Sequence, residues 1–323
     1  MLIAADGGSL TLLQEEFPDL ETIHFPGYRM RYSGNRTMNL QVFSNVPKIF
    51  YQIYIEHRRL KKLITKHQLD AVISDNRYGL WSKKTYCVFL THQVSILCPS
   101  RLKFLEPILE IITGFFIGKY DRCWVPDVKD TNNLSGDLSH RRRLPSLKFI
   151  GPLSRFANAN GATSEKKFDL MVTLSGPEPQ RSIFEKLIMG QLDGSKLNSI
   201  IVRGLPGKST SRLNGMAIHN HLNSEKMYEA MLSSDVVLSR PGYSTIMDLA
   251  AVGKKAVFVP TPGQTEQEYL AKTLKERGLF YSDEQDGFDL ELALAESNKY
   301  SGIKFRSDPS LLKDAVQKLL SRI

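Results

Sequence analysis

The stretch Ser234–Gly278 decides the fold, and its centre reads SRPGYSTIMDLA at residues 239–250. The run Asp235-Val236-Val237-Leu238 stands directly ahead of that centre and has the length of a short buried strand. Arg240-Pro241-Gly242 cannot continue the strand, and the glycine can adopt backbone angles that other residues avoid. The sequence therefore predicts a strand that ends in a glycine-bearing loop.

The same order repeats further along this stretch. Ser244 or Thr245 can cap a helix that stops at Gly253. A second buried strand is expected at Ala256–Val259, and a polar loop then leads into a helix at Glu266–Arg277. In α/β units of this kind the loops at the carboxyl ends of the strands form the ligand crevice, and helix N-termini attract phosphate.

Strands alternate with helices on either side of this stretch as well. The pattern predicts an α/β protein with two doubly wound parallel-sheet, Rossmann-like domains that face a cleft. Gly151-Pro152, followed by the polar stretch Asn158–Ser164, is the best candidate for a boundary. We therefore expect domains at residues 1–150 and 151–323, with the last helix, Pro309–Leu320, packing back on the first domain.

The 323 residues carry a net charge of +9, which is unevenly spread. Residues 1–150 hold 21 basic and 14 acidic residues, a net charge of +7, whereas residues 151–323 hold 22 and 20, a net charge of +2. A basic first half suits an anionic partner such as phosphate or a lipid headgroup surface, and a solvated face without a partner is the alternative. Nucleic acid is not favoured, because the sequence lacks aromatic-basic interleaving and an evident helix-turn-helix.

The cysteines Cys87, Cys98 and Cys123 are odd in number and lack the close spacing of a metal site. They favour reduced structural thiols in a cytoplasmic protein. No apolar run reaches the length of a membrane-spanning helix, and the first residues lack the regions of a signal peptide. The nearest apolar run, Phe104–Ile117, is more typical of a core helix than of a membrane patch.

A second strand-to-helix junction has the sequence LSGPEPQR at residues 174–181. Ser175 and Gly176 let the backbone approach a ligand at a helix N-terminus, where N–H groups are unpaired. Arg181, one turn into the helix, could clamp a phosphate oxygen. An ordinary capped turn with a surface arginine is the alternative.

The junction and the loop after Ser239 can face one crevice, and together they favour a phosphate-bearing ligand. Asp248 could accept a hydrogen bond from a ribose hydroxyl, or it could be a first-turn acid that complements the helix dipole. The polar residues that open the next helix could bond sugar hydroxyls or form a plain cap. The candidate binding residues are Ser175, Gly176, Arg181, Arg240, Gly242, Tyr243, Ser244, Thr245, Asp248, Gln264, Glu266 and Gln267.

The first half offers two candidate catalytic residues, Asp75 and His92, which both follow predicted strands. A histidine at the carboxyl end of a strand could act as a general base, and a structural histidine satisfied by the backbone is the alternative. The basic helix face at Arg58–Lys66 is weak evidence of a membrane or phosphate contact, and a solvated face is its alternative.

Residues 239–278 resemble the C-terminal, donor-binding domain of the family 28 glycosyltransferases of the GT-B superfamily. The family pattern S-R-x-G-x-x-T-[IV]-x-E is followed by a P-x-P loop and a glutamine-bearing helix. This chain matches it at Ser239, Arg240, Gly242, Thr245, Ile246, Pro260, Pro262, Gln264 and Gln267. Asp248 stands where glutamate is usual, which shortens the reach to a ribose by about one methylene.

The resemblance extends beyond this motif. Val172–Gly176 looks like the diphosphate-binding turn of the family, though with fewer glycines. Asp75–Gly79 and Thr91–Gln93 look like a bacterial subgroup of family 28.

The resemblance implies GT-B architecture and transfer of a sugar from a nucleotide-diphosphate sugar, UDP-linked, without a metal or other cofactor. It implies a donor site in the second domain. The acceptor, lipid-linked or anionic at the inner face of the membrane, would meet His92 or Asp75 in the first. A nucleotide-sugar 2-epimerase and a nucleotide-sugar-binding pseudoenzyme or partner subunit are the alternatives.

The start of the chain departs from the family pattern. Family members begin with a strand and a glycine-rich loop that holds a Gly-His pair, whereas this chain opens on what resembles their second strand. The resemblance therefore predicts an N-terminally incomplete first domain with an unpaired sheet edge. On this expectation nucleotide binding by the second domain is retained.

Overall fold

The computed structural model describes residues 1–27, 46–157, 165–207, 209–213, 215–303 and 308–323. The stretch Asn158–Ser164, which the sequence places at the boundary, lies outside these residues. The first half contains β1 Leu2–Ala5, α1 Gly7–Glu16, β2 Glu21–His24, α2 Val46–His67, β3 Ala71–Asp75, β4 Tyr86–Leu90, a 3₁₀ turn Ser100–Leu105, α3 Glu106–Ile117, β5 Arg122–Val125, α4 Asp137–His140 and β6 Leu147–Phe149. The second half contains β7 Phe168–Thr173, α5 Gln180–Leu192, β8 Ser199–Val202, β9 Thr210–Leu213, β10 Met216–His219, α6 Ser224–Leu232, β11 Ser234–Ser239, α7 Tyr243–Val252, β12 Lys255–Phe258, α8 Thr265–Glu276, β13 Tyr281–Ser282, α9 Leu290–Ser297 and α10 Pro309–Leu320.

A parallel four-stranded sheet in the order β3-β4-β5-β6 forms the centre of the first domain. Cys87, Val88 and Phe89 of β4 are all fully buried, as expected for a parallel strand that is covered on both faces. The face that carries Cys87 and Phe89 packs against Ile117 of α3. The opposite face packs against α10, which comes from the other end of the chain.

β1 and β2 pair with each other in parallel and form a separate two-stranded sheet in the described part of the chain. Arg77, just beyond β3, links this sheet to the larger one. Its guanidinium donates to the carbonyl oxygens of Phe25 and Pro26 and pairs with Glu56 at 2.8 Å. β3 is thus an edge strand, and the side chain of Ile73 is largely exposed.

The second domain contains a seven-stranded sheet in the order β13-β12-β11-β7-β8-β10-β9. Every neighbouring pair is parallel except β9 and β10, which form an antiparallel edge. Alternate residues of β11 enter two separate cores, with Val237 on one face of the sheet and Leu238 on the other. Helices therefore cover both faces, as in a doubly wound sheet.

The central strand-loop-helix unit forms as the sequence predicts, with one difference. Gly242 is the N-cap of α7, so Ser244 and Thr245 lie inside the first turn and do not cap it. Gly253 ends the helix in the left-handed conformation at φ 72°, which a glycine adopts without strain. The short elements β9, β13, α4 and α9 were not predicted, since none is long enough to show a clear hydrophobic period.

A loop of the first domain is embedded in the second. Leu134 and Leu138, which follow β5, are fully buried in the core that also contains Phe258 and Leu270. At the surface, the backbone N–H of Asp137 donates to the hydroxyl of Tyr269 at 2.7 Å. The two sheets are therefore joined by packed side chains as well as by the connecting chain.

The last helix returns to the first domain. Ala315 and Leu319 of α10 pack against Val88, Trp124 and Ile150, on the sheet face opposite α3. None of the helices in the described residues is both long and apolar enough to cross a membrane.

Adjacent leucines of α10 test how much this packing stabilises the protein. Leu319→Ala should lower the free energy of unfolding by about 2–4 kcal/mol, because it leaves a cavity against the first sheet. Leu320→Ala removes an exposed side chain of the same size and should change the free energy by about 0.5 kcal/mol or less. Urea unfolding of both variants measures the difference. Equal effects would show that α10 does not pack as described.

Candidate functional site

The carboxyl ends of three adjacent strands define a crevice in the second domain. β11 lies between β7 and β12, and Ser239 at its end is level with Thr173 and Phe258 on the two neighbouring strands. The loops that leave these three strands are therefore neighbours at one sheet edge. They contain Ser175-Gly176, the segment before α7, and the loop before α8.

Gly176 keeps one wall of this crevice open. Its φ of 104° is one that residues with a side chain rarely adopt, and a Cβ atom built there would lie 3.8 Å from Oγ1 of Thr261. Ser175 and Gly176 are both exposed. The turn after β7 thus faces the loop after β12, and Oγ1 of Thr261 is the one described atom within 4 Å of the position that a Cβ of residue 176 would take.

Two buried hydroxyl groups lie at the same edge and were missing from the predicted set. Ser239 and Thr261 are each 1% exposed, and among the described residues neither side-chain oxygen has a hydrogen-bond partner. A buried hydroxyl without a partner is unfavourable, so its retention suggests an external donor or acceptor. Their positions at the end of β11 and just past β12 were the signal that could have identified them.

Arg181 does not extend into the crevice, and the prediction of a phosphate clamp at this residue is wrong for this structure. Its side chain is buried and pairs with Glu178 at 2.6 Å and Glu185 at 2.8 Å. It also donates to the hydroxyl of Ser182. Most of its donors are therefore used within α5 and the turn before it, and its role here is to fix the start of the helix.

Arg240 is also a structural residue. It is 1% exposed, lies over the ring of Phe184 and donates to the carbonyl oxygens of Val259 and Pro260 and to the side chain of Gln285. Burial lowers the pKa of Arg240 to about 10. The guanidinium is therefore not exposed to a ligand as expected. Its hydrogen bonds to the carbonyl oxygens of Val259 and Pro260 instead hold the start of the loop after β12.

Asp248 is engaged by the segment that connects the domains. Its carboxylate accepts from the hydroxyl of Ser154 at 2.8 Å and from the guanidinium of Arg155 at 3.1 Å. Burial raises the pKa of Asp248, and the nearby Arg155 opposes this shift. A ribose contact at this carboxylate would therefore have to compete with the connecting segment.

The remaining donor-side candidates shape the two loops. The side chain of Gln267 accepts from the backbone N–H of Thr261 at 2.8 Å, and Glu268 accepts from that of Gly263 at 2.7 Å. Gln264 is the N-cap residue of α8. Gly242, Ser244 and Thr245 are accessible to solvent at the start of α7, whereas Tyr243 is buried.

His92 of the first domain contacts this region across the cleft. Its Nε2 lies 2.7 Å from Oε1 of Glu266, and its ring stacks on that of Tyr243 with centroids 4.3 Å apart and planes within 5°. Desolvation raises the pKa of Asp75, while the charge of His92 acts to lower it. The structure thus brings both catalytic candidates together and adds Glu266, which the sequence had suggested as a sugar contact.

Asp127 holds the embedded loop beneath this contact. Its buried carboxylate accepts from the backbone N–H groups of Leu134 and Ser135 and from the Ser135 hydroxyl, and it pairs with His140 at 3.4 Å. Burial alone raises its pKa, but these hydrogen bonds outweigh burial and hold the pKa of Asp127 below its ordinary value. Tyr243 donates to the carbonyl of the preceding residue, Pro126, at 3.0 Å.

Within the described ranges no cluster of three or more histidine, cysteine or acidic residues could hold a metal ion. Cys87, Cys98 and Cys123 are buried free thiols. Burial raises the pKa of Cys87 to about 11 and that of Cys123 to about 12, so both are protonated at neutral pH.

Part of this crevice lies in a segment that matches a known protein family. Residues 208–302 match the glycosyltransferase family 28 C-terminal domain. We call residues 208–302 the family 28 segment, after the domain that they match. The family 28 segment contains Ser239, Thr245, Thr261 and Glu266, so it includes two of the three loops that form the crevice.

Curated relatives extend the similarity beyond the family 28 segment. UDP-N-acetylglucosamine–N-acetylmuramyl-(pentapeptide) pyrophosphoryl-undecaprenol N-acetylglucosamine transferase of Rickettsia conorii is 26% identical over 213 residues, which cover 56% of this chain and 54% of the relative. The enzyme of that name from Sulfurihydrogenibium is 28% identical over 112 residues, 34% of this chain and 31% of the relative. The chain therefore spans about half the length of the curated relatives it matches.

Solved structures show the fold of both domains. The glycotransferase of kitacinnamycin superposes with a TM-score of 0.61 at 14% identity, covering 99% of this chain and 86% of that one. MurG of Acinetobacter baumannii superposes with a TM-score of 0.53 at 13% identity, covering 99% and 90%. The fold is GT-B, and the resemblance seen in the sequence is confirmed.

The carboxylate of Asp127 gives the joint a testable pH dependence. Because the folded-state pKa lies below the unfolded value of about 3.9, its contribution to stability is fully present above about pH 5 and is lost as the pH falls through the folded-state pKa. Asp127→Asn should therefore lower the free energy of unfolding by about 3 kcal/mol at pH 7, since it removes a charged acceptor from buried donors. This deficit should shrink below pH 4.

Urea unfolding at pH 7 and at pH 3.5 measures both values for Asp127→Asn. Asp19→Asn, at an exposed carboxyl group, is the control and should show no deficit at either pH. A deficit of the same size at both pH values would contradict the role given to the ionised carboxylate.

Proposed function

We propose that this protein transfers a sugar from a nucleotide-diphosphate sugar, UDP-linked, to a hydroxyl group of a lipid-linked acceptor. The observation that supports it best is the family 28 segment. At its strand ends lie the hydroxyls of Ser239 and Thr261, which have no partner among the described residues, and that of Thr261 lies opposite the open Gly176 turn. The name of the Rickettsia conorii transferase includes a UDP-sugar and an undecaprenol-linked substrate. We take both substrate classes from this name.

On this proposal the diphosphate lies between the Gly176 turn and the start of α7. The exposed first turn of α7 offers backbone N–H groups and the hydroxyls of Ser244 and Thr245 to an anion. Thr261 and Ser239 would then gain the partners that the described residues do not supply. Charge that develops on the leaving diphosphate would be stabilised by these fixed dipoles, so no metal is required.

The pair of His92 and Glu266 would supply the base for the acceptor hydroxyl. If Nε2–H of His92 donates to the carboxylate of Glu266, the lone pair of Nδ1 is free to accept the hydroxyl proton. Glu266 and Asp75 would then stabilise the imidazolium that forms. Since His92 and Glu266 come from different domains, this base depends on the arrangement of the two domains that the structure has.

The donor site is tested by isothermal calorimetry with UDP. Thr261→Val keeps the packing of a buried side chain but removes the unpartnered hydroxyl, and it should weaken UDP binding by about fivefold to tenfold. Thr65→Val, the same change at an exposed position of α2, should leave the affinity unchanged. If the wild-type protein binds no nucleotide at all, the proposed function fails.

The catalytic pair is tested by release of UDP from UDP-sugars in the presence of a polyprenyl-diphosphate-sugar acceptor. His92→Asn should lower the rate by about 10²-fold or more, because it removes the base, and should leave UDP affinity within about twofold. Glu266→Gln keeps the hydrogen bond but not the charge and should lower the rate less, by about tenfold.

His67 supplies the matched control for this pair. It also lies near a glutamate, with its Nδ1 3.8 Å from Glu21, but at the amino-terminal edge of the first sheet. His67→Asn should leave the rate unchanged. A rate that survives His92→Asn, or an epimerised free sugar as the product, would exclude the proposed mechanism.

A further inference from the structure

Asn76 has a backbone conformation that residues with a side chain rarely adopt. It directly follows Asp75, the last residue of β3, and its φ is 52°. In the part of the chain that the structure describes, Gln68 is the other non-glycine residue with a positive φ. Gln68 directly follows the end of α2, where a left-handed residue is common. Asn76 leaves a strand, so no helix end accounts for its conformation, and such outliers cluster at functional sites.

This conformation brings Asn76 against the end of β4. The backbone N–H of Asn76 donates to the carbonyl oxygen of Leu90 at 2.9 Å. The side chain then meets the next residue along, since the hydroxyl of Thr91 donates to Oδ1 of Asn76 at 3.1 Å. Apart from glycine, asparagine is among the residues that adopt left-handed angles most readily. Asparagine therefore supplies both the backbone geometry and the acceptor that this position uses.

The hydroxyl of Thr91 connects the residues on both sides of His92. Thr91 is 2% exposed, and its backbone N–H donates to the carbonyl oxygen of Trp124 at 3.0 Å. Its hydroxyl oxygen accepts from the backbone N–H of Gln93 at 3.0 Å, which leaves its one hydrogen for Asn76. The residues directly before and after His92 are thus tied to each other by a single hydroxyl group whose orientation Asn76 fixes.

Loss of the Asn76 acceptor would disturb the turn that carries His92. The buried hydroxyl of Thr91 would keep a hydrogen without a partner, which is unfavourable, so it would turn toward another acceptor and weaken its bond to Gln93. The ring of His92 would then be held less firmly. Its hydrogen bond to Glu266 at 2.7 Å depends on orientation, because hydrogen bonds weaken steeply as the donor angle bends.

We propose that Asn76 is a positioning residue, which acts through the hydroxyl of Thr91 to orient the imidazole of His92 toward Glu266. The proposal rests on the proposed function for its effect on the reaction rate, whereas the orientation of the ring is a property of the free protein. An ordinary turn residue is the alternative. Such a residue would affect the stability of the fold and leave the imidazole unchanged.

Release of UDP from UDP-sugars, with a polyprenyl-diphosphate-sugar acceptor present, measures the effect on the rate. Asn76→Gly keeps the left-handed backbone but removes the amide, and it should lower kcat by about tenfold and leave the KM for the donor within about twofold. Thr91→Val should lower kcat equally, whereas Thr91→Ser keeps the hydroxyl and should retain about half of the wild-type kcat or more. Gln68→Gly, at the other left-handed position, is the matched control and should leave kcat unchanged.

The double variant Asn76→Gly/Thr91→Val tests whether the two residues act as one unit. If Asn76 acts through Thr91, the second change removes nothing more. The kcat of the double variant should therefore lie within about twofold of that of either single variant. Independent effects would multiply to a loss of about a hundredfold and would overturn the proposal.

Nitrogen-15 NMR of the full chain with labelled histidines follows the ring without any substrate. The hydrogen bond to Glu266 favours the neutral form of His92 that carries its proton on Nε2. The signal of His92 is assigned by its absence from His92→Asn. Asn76→Gly and Thr91→Val should shift it toward a mixture of the two neutral forms, and Gln68→Gly should not. Thermal unfolding of each variant checks that the fold is retained.

The two measurements separate this proposal from the proposed function. If the wild-type protein releases no UDP but the His92 signal changes in Asn76→Gly, the transfer reaction is refuted and the positioning role stands. If UDP release depends on His92 and is unchanged in Asn76→Gly, only the positioning role is refuted. A His92 signal that is the same in the wild-type protein, Asn76→Gly and Thr91→Val would also overturn it.

Discussion

The buried carboxylate of Asp127 is the interaction on which the arrangement of the two domains depends. It accepts hydrogen bonds from the backbone N–H groups of Leu134 and Ser135 and from the Ser135 hydroxyl, all in the loop after β5. Leu134 and Leu138 of this loop pack in the core of the second domain. A charge buried with several directed donors holds one geometry, because any other arrangement would leave the charge without partners. The cleft is therefore bounded by two domains in a fixed orientation.

The contact between His92 and Glu266 follows from that orientation. The residue ahead of Asp127, Pro126, accepts the hydroxyl hydrogen bond of Tyr243, and the ring of Tyr243 supports the imidazole of His92. The stack at 4.3 Å and the hydrogen bond at 2.7 Å would both be lost by a small rotation of one domain against the other. The joint and the candidate catalytic pair thus act as one unit.

Two arginines of the second domain show how tertiary structure changes the role of a motif residue. Arg181 follows a glycine-bearing turn and Arg240 opens one, and arginines at such junctions often bind phosphate. In the fold their guanidinium groups are instead buried among acceptors from their own domain. The groups that line the crevice are therefore backbone groups and hydroxyls. Such a lining is consistent with a site that binds an anion through helix N-termini.

The sequence by itself determined the α/β class, most of the strands and helices, and the glycine-bearing junctions at Gly176 and Gly242. These features depend on local periodicity and on backbone freedom, which are properties of neighbouring residues. It also singled out His92 and Asp75 as candidates. Only the tertiary structure decided which side chains share a site. The partners of His92 and Asp248 lie far away in the chain, and the hydroxyl of Thr261 has no partner among the described residues. The exposed face of α3 was likewise decided by packing, since an apolar helix has the same sequence pattern whether a neighbour covers it or not.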